Sequence, residues 1–169
     1  MSLPKRKGIR LKDYDYNQNG AYFLTVCVKN RSNLLGNIDV GDAVPSVPNV
    51  RLSAAGICVK ECLAKMNGVL DCAVLENYVI MPNHLHLLIV VNQTSGTLRT
   101  ASPTKALLPR IIHGLKASTT KQLGSSIWQR AYHDHIIRSE KEFEIISQYI
   151  DDNPAKWAED KYYCNEGAA

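Results

Sequence analysis

The sequence predicts an α+β domain: a ferredoxin-like sandwich with a four-stranded antiparallel sheet and an added C-terminal helix that carries a tyrosine. Three observations predict this class. Apolar, β-branched runs alternate with helical runs in the order strand, helix, strand, strand, helix, strand, as in a split β-α-β sandwich. A Pro-Asn turn joins two of the strands directly, and a third helix follows the last strand. The length of 169 residues suits one domain over 1–169.

The first half of the chain supplies one strand and one helix. Residues 22–28 (YFLTVCV) are aromatic and β-branched, as in a buried strand. Residues 30–51 are rich in Gly, Pro, Asn and Asp, which predicts an irregular excursion. A helix over 53–66 follows, capped by Ser53 and closed by an Asn-Gly pair.

The middle of the chain predicts a hairpin. Residues 72–81 and 84–91 are apolar runs on either side of the Pro-Asn turn, so they pair as neighbouring strands. A polar loop over 92–103 precedes a helix over 104–123, which Thr104 caps and whose apolar positions recur at helical spacing. Residues 127–137 then alternate as a fourth strand.

The third helix spans 139–152. Ser139 opens it, and Glu142, three residues later, predicts a capping box. An Asn-Pro pair at 153–154 ends the helix, because the residue before proline disfavours helical backbone.

The chain is mildly basic, with a formal net charge of +4 and a pI near 8.8. That charge permits a nucleic-acid partner without requiring one. The basic residues concentrate in 1–12, which contains no acid. Such a run is usually a solvated tail, and the alternative is an arm that lies on phosphate. We assign 1–19 to a basic N-terminal arm and 158–169 to a C-terminal tail.

Cysteines and hydropathy bear on location. Five cysteines occur, with no C-x-x-C pair, which favours free thiols in a reducing cytoplasm over a disulfide or zinc framework. The longest apolar run, 85–91, is too short to span a membrane, and no signal peptide opens the chain. We therefore expect a cytoplasmic protein with no membrane partner.

The segment His84-Leu85-His86 is the first candidate for chemistry. Strand residues i and i+2 share a face, so both imidazoles leave one side of the sheet, about 7 Å apart at their Cα atoms. From there they can grip one metal ion. So short a pattern is frequent, and the alternative is one solvent-facing histidine and one that satisfies a core hydrogen bond. Its position beside the Pro-Asn turn favours the metal.

Tyr149 is the second candidate. Helical spacing places Tyr149 and Asn153 on one face, with Asp152 nearby. A phenol can attack phosphorus when a metal or base helps to remove its proton. The alternative is a structural tyrosine that packs its ring and wets its hydroxyl.

The third candidate is the segment 128–135 (WQRAYHDH). In a strand, His133 and His135 share one face. Arg130 and Asp134 then share the other. Three interpretations stand: a second metal site, a polar strand that lines the catalytic side or contacts phosphate, and plain exposure to solvent. We favour the polar strand that lines the catalytic side or contacts phosphate.

Together these segments resemble the REP-associated tyrosine transposases, a branch of the single-tyrosine HUH transposases. The matching segments, in chain order, are GIRL at 8–11 with YDY at 14–16, NGAYFLT at 19–25, YVIMPNHLH at 78–86, WQR at 128–130 with HDHIIR at 133–138, and YI at 149–150 with Asn153, Pro154 and Trp157. The MPNHLH and YIxxNP segments are specific in combination, whereas either alone is only suggestive.

The resemblance implies a role for each matched residue. His84 and His86 become the paired metal ligands, Tyr149 the nucleophile that takes a 5′-phosphate, and Asn153 a third ligand through its side-chain oxygen. The implied cofactor is Mg²⁺ or Mn²⁺, and two imidazoles with one amide oxygen suit Mn²⁺ somewhat better. The implied activity is cleavage and rejoining of DNA.

The resemblance also implies a partner: single-stranded DNA beside a hairpin, with a monomer and a homodimer both open. Basic side chains would hold such a strand through its phosphates. We nominate Lys5, Arg6, Lys7, Lys116, Lys121 and Arg130 as nucleic-acid-binding residues.

Two other functions compete with this one. A domesticated relative could bind single-stranded nucleic acid without cutting it, although the predicted strands carry no aromatic pair of the RNP kind. A metal-dependent hydrolase could use the same histidines with an activated water, and would need a carboxylate such as Asp134 or Asp152. The discriminating observation is whether Tyr149 faces the histidine pair.

Overall fold

The structure, a computed structural model, describes residues 18–38, 50–67, 72–92 and 107–163. The elements in chain order are β1 (Gly20–Cys27), β2 (Gly36–Asn37), β3 (Arg51–Leu52), α1 (Ala54–Asn67), β4 (Ala73–Ile80), β5 (His84–Val91), α2 (Leu107–Leu123), β6 (His133–Ile137) and α3 (Glu140–Asp152). Single 3₁₀ turns occupy Lys29–Arg31 and Trp157–Glu159. The predicted α+β class and the added C-terminal helix are confirmed.

The main sheet is antiparallel, with the strand order β4-β5-β1-β6, and β2 pairs with β3 as a separate ribbon. This is the ferredoxin-like order that the sequence predicts. The two central strands, β1 and β5, pair along their whole length, with Cys27 opposite His84 and Thr25 opposite His86. Strand β6 lies on the other side of β1 and places His133 opposite Thr25.

The two faces of the sheet have different covers. Leu85 and Leu87 are fully buried in the core that α1 and α2 build. The alternate residues of β5 point the other way, where Leu88 packs with Ile150 of α3. Burial of a leucine side chain is worth roughly 1.5–3 kcal/mol. A one-residue slip of β5 would move these leucines out of this core to the face that α3 covers, so the core fixes the face on which His84 and His86 lie.

Strand β6 is shorter than predicted. The sequence predicts a strand over 127–137, but pairing begins at His133, preceded by one isolated bridge from Val28 to Trp128. The indole of Trp128 is buried and donates to Thr119 of α2 at 2.6 Å. The ammonium of Lys116, on α2, donates to the carbonyls of residues 129–131. A longer strand would need these carbonyls for pairing in the sheet.

The caps of the helices follow the sequence with one change. The Ser53 hydroxyl accepts from the Gly56 amide, and the Ser139 hydroxyl accepts from the Glu142 amide. The side chain of Glu142 does not complete the reciprocal half of the predicted capping box, and accepts from the Arg138 amide instead. The predicted Thr104 cap, the Asn-Gly closure at residue 68 and most of the basic run 1–19 lie outside the described residues. No helix among the described residues is long and apolar enough to cross a membrane.

Candidate active site

His84 and His86 meet at one point on the face of β5 that α3 covers. Both side chains are buried, and their Nε2 atoms lie 3.1 Å apart. Alternation along the strand accounts for the shared face, as predicted. The buried leucines on the opposite face hold the strand in that register.

Asn83 sets the tautomer of His84. The amide nitrogen of Asn83 donates to the carbonyls of Arg31 and Tyr162, at 3.1 and 2.8 Å. That fixes its amide oxygen as the acceptor for Nδ1–H of His84, at 2.8 Å. The Nε2 lone pair of a neutral His84 therefore points towards His86. Partners of this kind orient metal-binding histidines in proteins.

Thr25 contacts the Nδ1 atom of His86 from the neighbouring strand. Its buried hydroxyl lies 3.0 Å from Nδ1 of His86, directly across the β1–β5 pairing. With a cation on Nε2, the Nδ1 proton of His86 would be donated to this hydroxyl. Each histidine thus has one ring nitrogen held by the protein and the other left for a ligand.

Both imidazoles are neutral at physiological pH. Burial, followed by the neighbouring His86 and Lys161, lowers the pKa of His84 from 6.5 to about 2. Burial, with a smaller contribution from Lys161, lowers the pKa of His86 to about 3. Neutral imidazole is the form that binds metal, so the protein holds the pair ready for a cation.

The pair fits a divalent metal by geometry. Two neighbouring ligands of an octahedral ion with bonds of about 2.1 Å lie about 3 Å apart, and the two Nε2 atoms are 3.1 Å apart. With both Nδ1 atoms protonated, two lone pairs face each other at that distance, and a cation between them removes the repulsion. Asn153 is also buried, and its Oδ1 has no hydrogen-bond partner.

Tyr149 faces the histidine pair from α3 of the same chain. Its hydroxyl lies 3.4 Å from Nε2 of His86, and its ring meets Phe23 edge-on. Burial, and next the charge of Asp160, raises the pKa of Tyr149 above 10, whereas a hydrogen bond from the Asn153 side chain lowers it in part. The phenol is therefore protonated at neutral pH, but it lies in reach of a group bound at the histidines.

The segment after α3 also lies against the histidine pair, although the sequence predicts a C-terminal tail over 158–169. Asp160 offers a carboxylate oxygen that lies within 4.8 Å of the ring nitrogens of both histidines. The rings of Trp157 and Tyr162 are buried and lie 6.0 and 4.7 Å from the ring of His84. Aromatic residues in a predicted tail are the signal that such a segment packs against the domain.

A groove of about 460 Å³ opens beside the pair. Its lining includes Phe23, Tyr162, Arg31, Lys161, His133 and His135. The guanidinium of Arg31 and the ammonium of Lys161 lie 5.3 and 4.9 Å from the Tyr162 ring. Sequence reasoning missed Arg31 and Lys161, because neither belongs to a motif.

His133 and His135 lie on the same sheet face as His84 and His86 but do not join that pair. Both are exposed, and Nε2 of His135 binds Glu142 of α3 at 2.7 Å. Among the described residues, the group with metal-ligating geometry is His84, His86 and Asp160, so a second metal site at 133–135 gains no support.

The two carboxylates named for a hydrolase differ in position. Asp134 pairs with Leu24 in the sheet and borders the groove. The Asp152 carboxylate binds Gln148 and Lys156 on the outside of α3, at 2.7 and 3.1 Å.

The nominated basic residues are not gathered at the site. Lys116 and Lys121 belong to α2, which covers the opposite face of the sheet. The half-buried ammonium of Lys116 is engaged by the carbonyls of the 129–131 loop, and burial lowers its pKa. Arg130 is exposed in that loop, whereas Lys5, Arg6 and Lys7 lie outside the described residues.

Comparisons with known proteins identify relatives of this chain and of its fold. A family model described as IS200-like transposase matches residues 17–153. An uncharacterized protein of Haemophilus influenzae strain Rd is 33% identical over 174 residues, which cover 94% of this chain and 93% of the relative. Among solved structures, a REP-associated tyrosine transposase bound to a REP hairpin is similar, with a TM-score of 0.60 and 21% identity over 92% of this chain and 74% of that chain. At this level of identity, the similarity to that structure shows a shared fold.

Proposed function

The chain belongs to the IS200-like transposase family, and from this premise we propose that it cuts and rejoins single-stranded DNA beside a hairpin, with Tyr149 as the nucleophile. One observation carries the proposal: the Tyr149 hydroxyl lies 3.4 Å from the histidine pair within a single chain. A tyrosine that served packing alone would not need its hydroxyl at two neutral, preorganised imidazoles.

The proposed step is an in-line displacement at phosphorus. The Tyr149 oxygen forms a bond to phosphorus and loses its proton. The bond from phosphorus to the 3′-oxygen breaks, and that oxygen takes up a proton and leaves as a 3′-hydroxyl. The product is a 5′-phosphotyrosine, which keeps the bond energy for the reverse attack by a 3′-hydroxyl. No water and no nucleotide cofactor takes part.

The residues present fit a divalent cation, Mg²⁺ or Mn²⁺. His84 and His86 would hold it, with the partnerless oxygen of Asn153 as a further ligand. When bound, such an ion polarises the scissile phosphate and stabilises the charge of the displacement. The chain's own contribution is orientation: Asn83 and Thr25 hold the imidazoles, and α3 holds the phenol beside them.

The groove beside the pair suits the strand that leads to the scissile phosphate. Arg31 and Lys161 provide positive charge along one side, and Phe23 and Tyr162 provide aromatic surface. Single-stranded nucleic acid is held by this combination of backbone charge and base stacking. The fold similarity to a transposase bound to a REP hairpin supports a hairpin as the neighbouring element.

The test is a covalent-adduct assay. The protein is incubated with hairpin-bearing single-stranded DNA and Mn²⁺, and a protein–DNA band that survives denaturation is expected. Tyr149→Phe removes one oxygen and keeps the ring, so the band should disappear while the melting temperature stays close to wild type. Tyr163→Phe, at an exposed tyrosine that packs on Trp157, is the matched control.

The same assay separates the alternatives. DNA binding without an adduct, under conditions where the wild type is folded, would favour the binding-only function. An adduct that persists in Tyr149→Phe would move the nucleophile elsewhere. Cleavage without an adduct would favour the hydrolase.

A further inference from the structure

Asp160 lies seven residues beyond Asn153, at the end of the 3₁₀ turn Trp157–Glu159. One of its carboxylate oxygens and one ring nitrogen of each catalytic histidine lie within 4.8 Å of one another. Two ligands of one ion with bonds of about 2.1 Å are at most about 4.2 Å apart. A small rotation of the carboxylate therefore completes a three-ligand set.

Hydrogen bonds of the backbone and the carboxylate hold Asp160 in its position. Its amide donates to the Trp157 carbonyl, and its carbonyl accepts from the Tyr163 amide, at 3.1 and 2.9 Å. One carboxylate oxygen accepts from the Tyr162 amide at 2.6 Å, which leaves the other oxygen for a further ligand. The Asn83 side chain, in the turn before β5, donates to the Tyr162 carbonyl and ties the segment to that turn.

Charge also favours a carboxylate at this point. The two imidazoles are neutral and Asn153 is an amide, so they compensate none of the charge on a divalent ion. Arg31 and Lys161 border the groove beside the pair, and their positive charges oppose a bound cation unless an acid offsets them. Asp160 is the acid whose charge raises the pKa of both Tyr149 and Tyr162. Hard divalent ions prefer carboxylate oxygens.

We propose that Asp160 is a direct ligand of the metal at His84 and His86, and that metal binding fastens the segment 157–163 onto β5. The inference rests on the proposed function, since it takes the histidine pair to be a metal site. It adds a carboxylate to that site and makes the order of the C-terminal segment depend on the ion.

The test measures metal binding without DNA. Mn²⁺ is titrated into the full chain and the free ion is followed by electron paramagnetic resonance. Loss of groups that only support metal ligands costs 10–100-fold in affinity, so Asp160→Asn should raise the dissociation constant at least about tenfold. Glu159→Gln removes the same charge from the exposed neighbouring residue and should leave the constant unchanged. Equal affinity in Asp160→Asn and wild type would overturn the proposal.

A second measurement needs no variant. Hydrogen exchange of the amides in 157–163 should slow when Mn²⁺ is added to the wild-type protein, because the ion ties the segment to β5. Unchanged exchange at saturating Mn²⁺ would refute the fastening. This experiment decides the question if Asp160→Asn does not fold.

The double variant His84→Ala/His86→Ala separates this inference from the proposed function. If it binds Mn²⁺ as tightly as wild type, the pair is not the metal site and both proposals fail. If it loses Mn²⁺ while Asp160→Asn keeps wild-type affinity, the metal site stands and Asp160 is excluded as a ligand.

Discussion

Lowering the pH from 7 to 5 should destabilise the metal-free protein strongly, because two histidines are buried in the neutral form. The unfolded chain takes up a proton at each of them below a pKa of about 6.5. The folded chain does not, since burial holds their pKa values at about 2 and about 3. Acidification therefore draws the equilibrium towards the unfolded state, and the stability is regained as the pH rises through 6.5.

The magnitude follows from the linkage relation. Between pH 7 and pH 5, each such histidine costs about 1.9 kcal/mol of unfolding free energy, or about 4 kcal/mol for the pair. The result does not depend on the folded-state values as long as both lie well below 5. Domains of this size are stable by about 5–15 kcal/mol, so the loss should be plain in a denaturation curve.

The assay is urea denaturation with EDTA present, followed by circular dichroism at several pH values. The double variant His84→Gln/His86→Gln should lose the steep dependence between pH 7 and 5, whatever its stability at pH 7. His113→Ala, at an exposed position of α2, is the matched control and should keep it. A wild-type change below about 1 kcal/mol, or an equal slope in the double variant, would refute the neutral buried pair.

Three further perturbations test the site. His84→Ala or His86→Ala should abolish covalent cleavage and leave hairpin binding within about twofold in a gel-shift assay, since a ligand is lost and the groove is kept; loss of binding as well would assign the histidines to the strand contact. Asn83→Ala removes the acceptor of His84 and the donor to two carbonyls. We therefore expect weaker Mn²⁺ binding and a free energy of unfolding that is lower by about 2–4 kcal/mol in urea denaturation. Unchanged Mn²⁺ affinity would show that the tautomer of His84 needs no partner. Arg31→Gly should keep the free energy of unfolding within about 1 kcal/mol of the wild-type value, because glycine accepts the left-handed backbone of that position. The slope of log K against log salt for binding of single-stranded DNA should fall in magnitude by about 0.7. An unchanged slope would show that Arg31 does not contact the strand.

The predictions that succeeded rest on local periodicity. A two-residue repeat suffices to place His84 and His86 on one face, because the leucine between them must enter the core. The four-residue spacing from Tyr149 to Asn153 likewise holds on any helix. These relations are properties of short segments, and the chain around them needs to supply only a strand and a helix.

What the sequence did not predict depends on distant contacts. The sequence nominates Lys116 as a nucleic-acid contact, which stays a prediction, but it gives no sign that the ammonium is engaged by carbonyls of the loop before β6. The start of β6 moved for the same reason, since Trp128 turns to Thr119 of α2. Asp160 lies near His84 because the chain folds back after α3 and packs Trp157 and Tyr162 against the His84 ring. No periodic pattern in the sequence predicts a contact of this kind.

The turn at Asn30 and Arg31, beside the groove, has a strained backbone. Asn30 and Arg31 both have φ of 56°, a left-handed conformation that costs a non-glycine residue roughly 1–2 kcal/mol. The strained turn persists because its surroundings over-determine it: the Arg31 carbonyl is held by Asn83, the same side chain that orients His84 and binds the Tyr162 carbonyl. One asparagine in the hairpin turn thus joins three parts of the site, and the strain it stabilises places the Arg31 guanidinium over Tyr162. A glycine would relieve this strain, so an arginine kept here supports the proposed contact between Arg31 and the DNA strand.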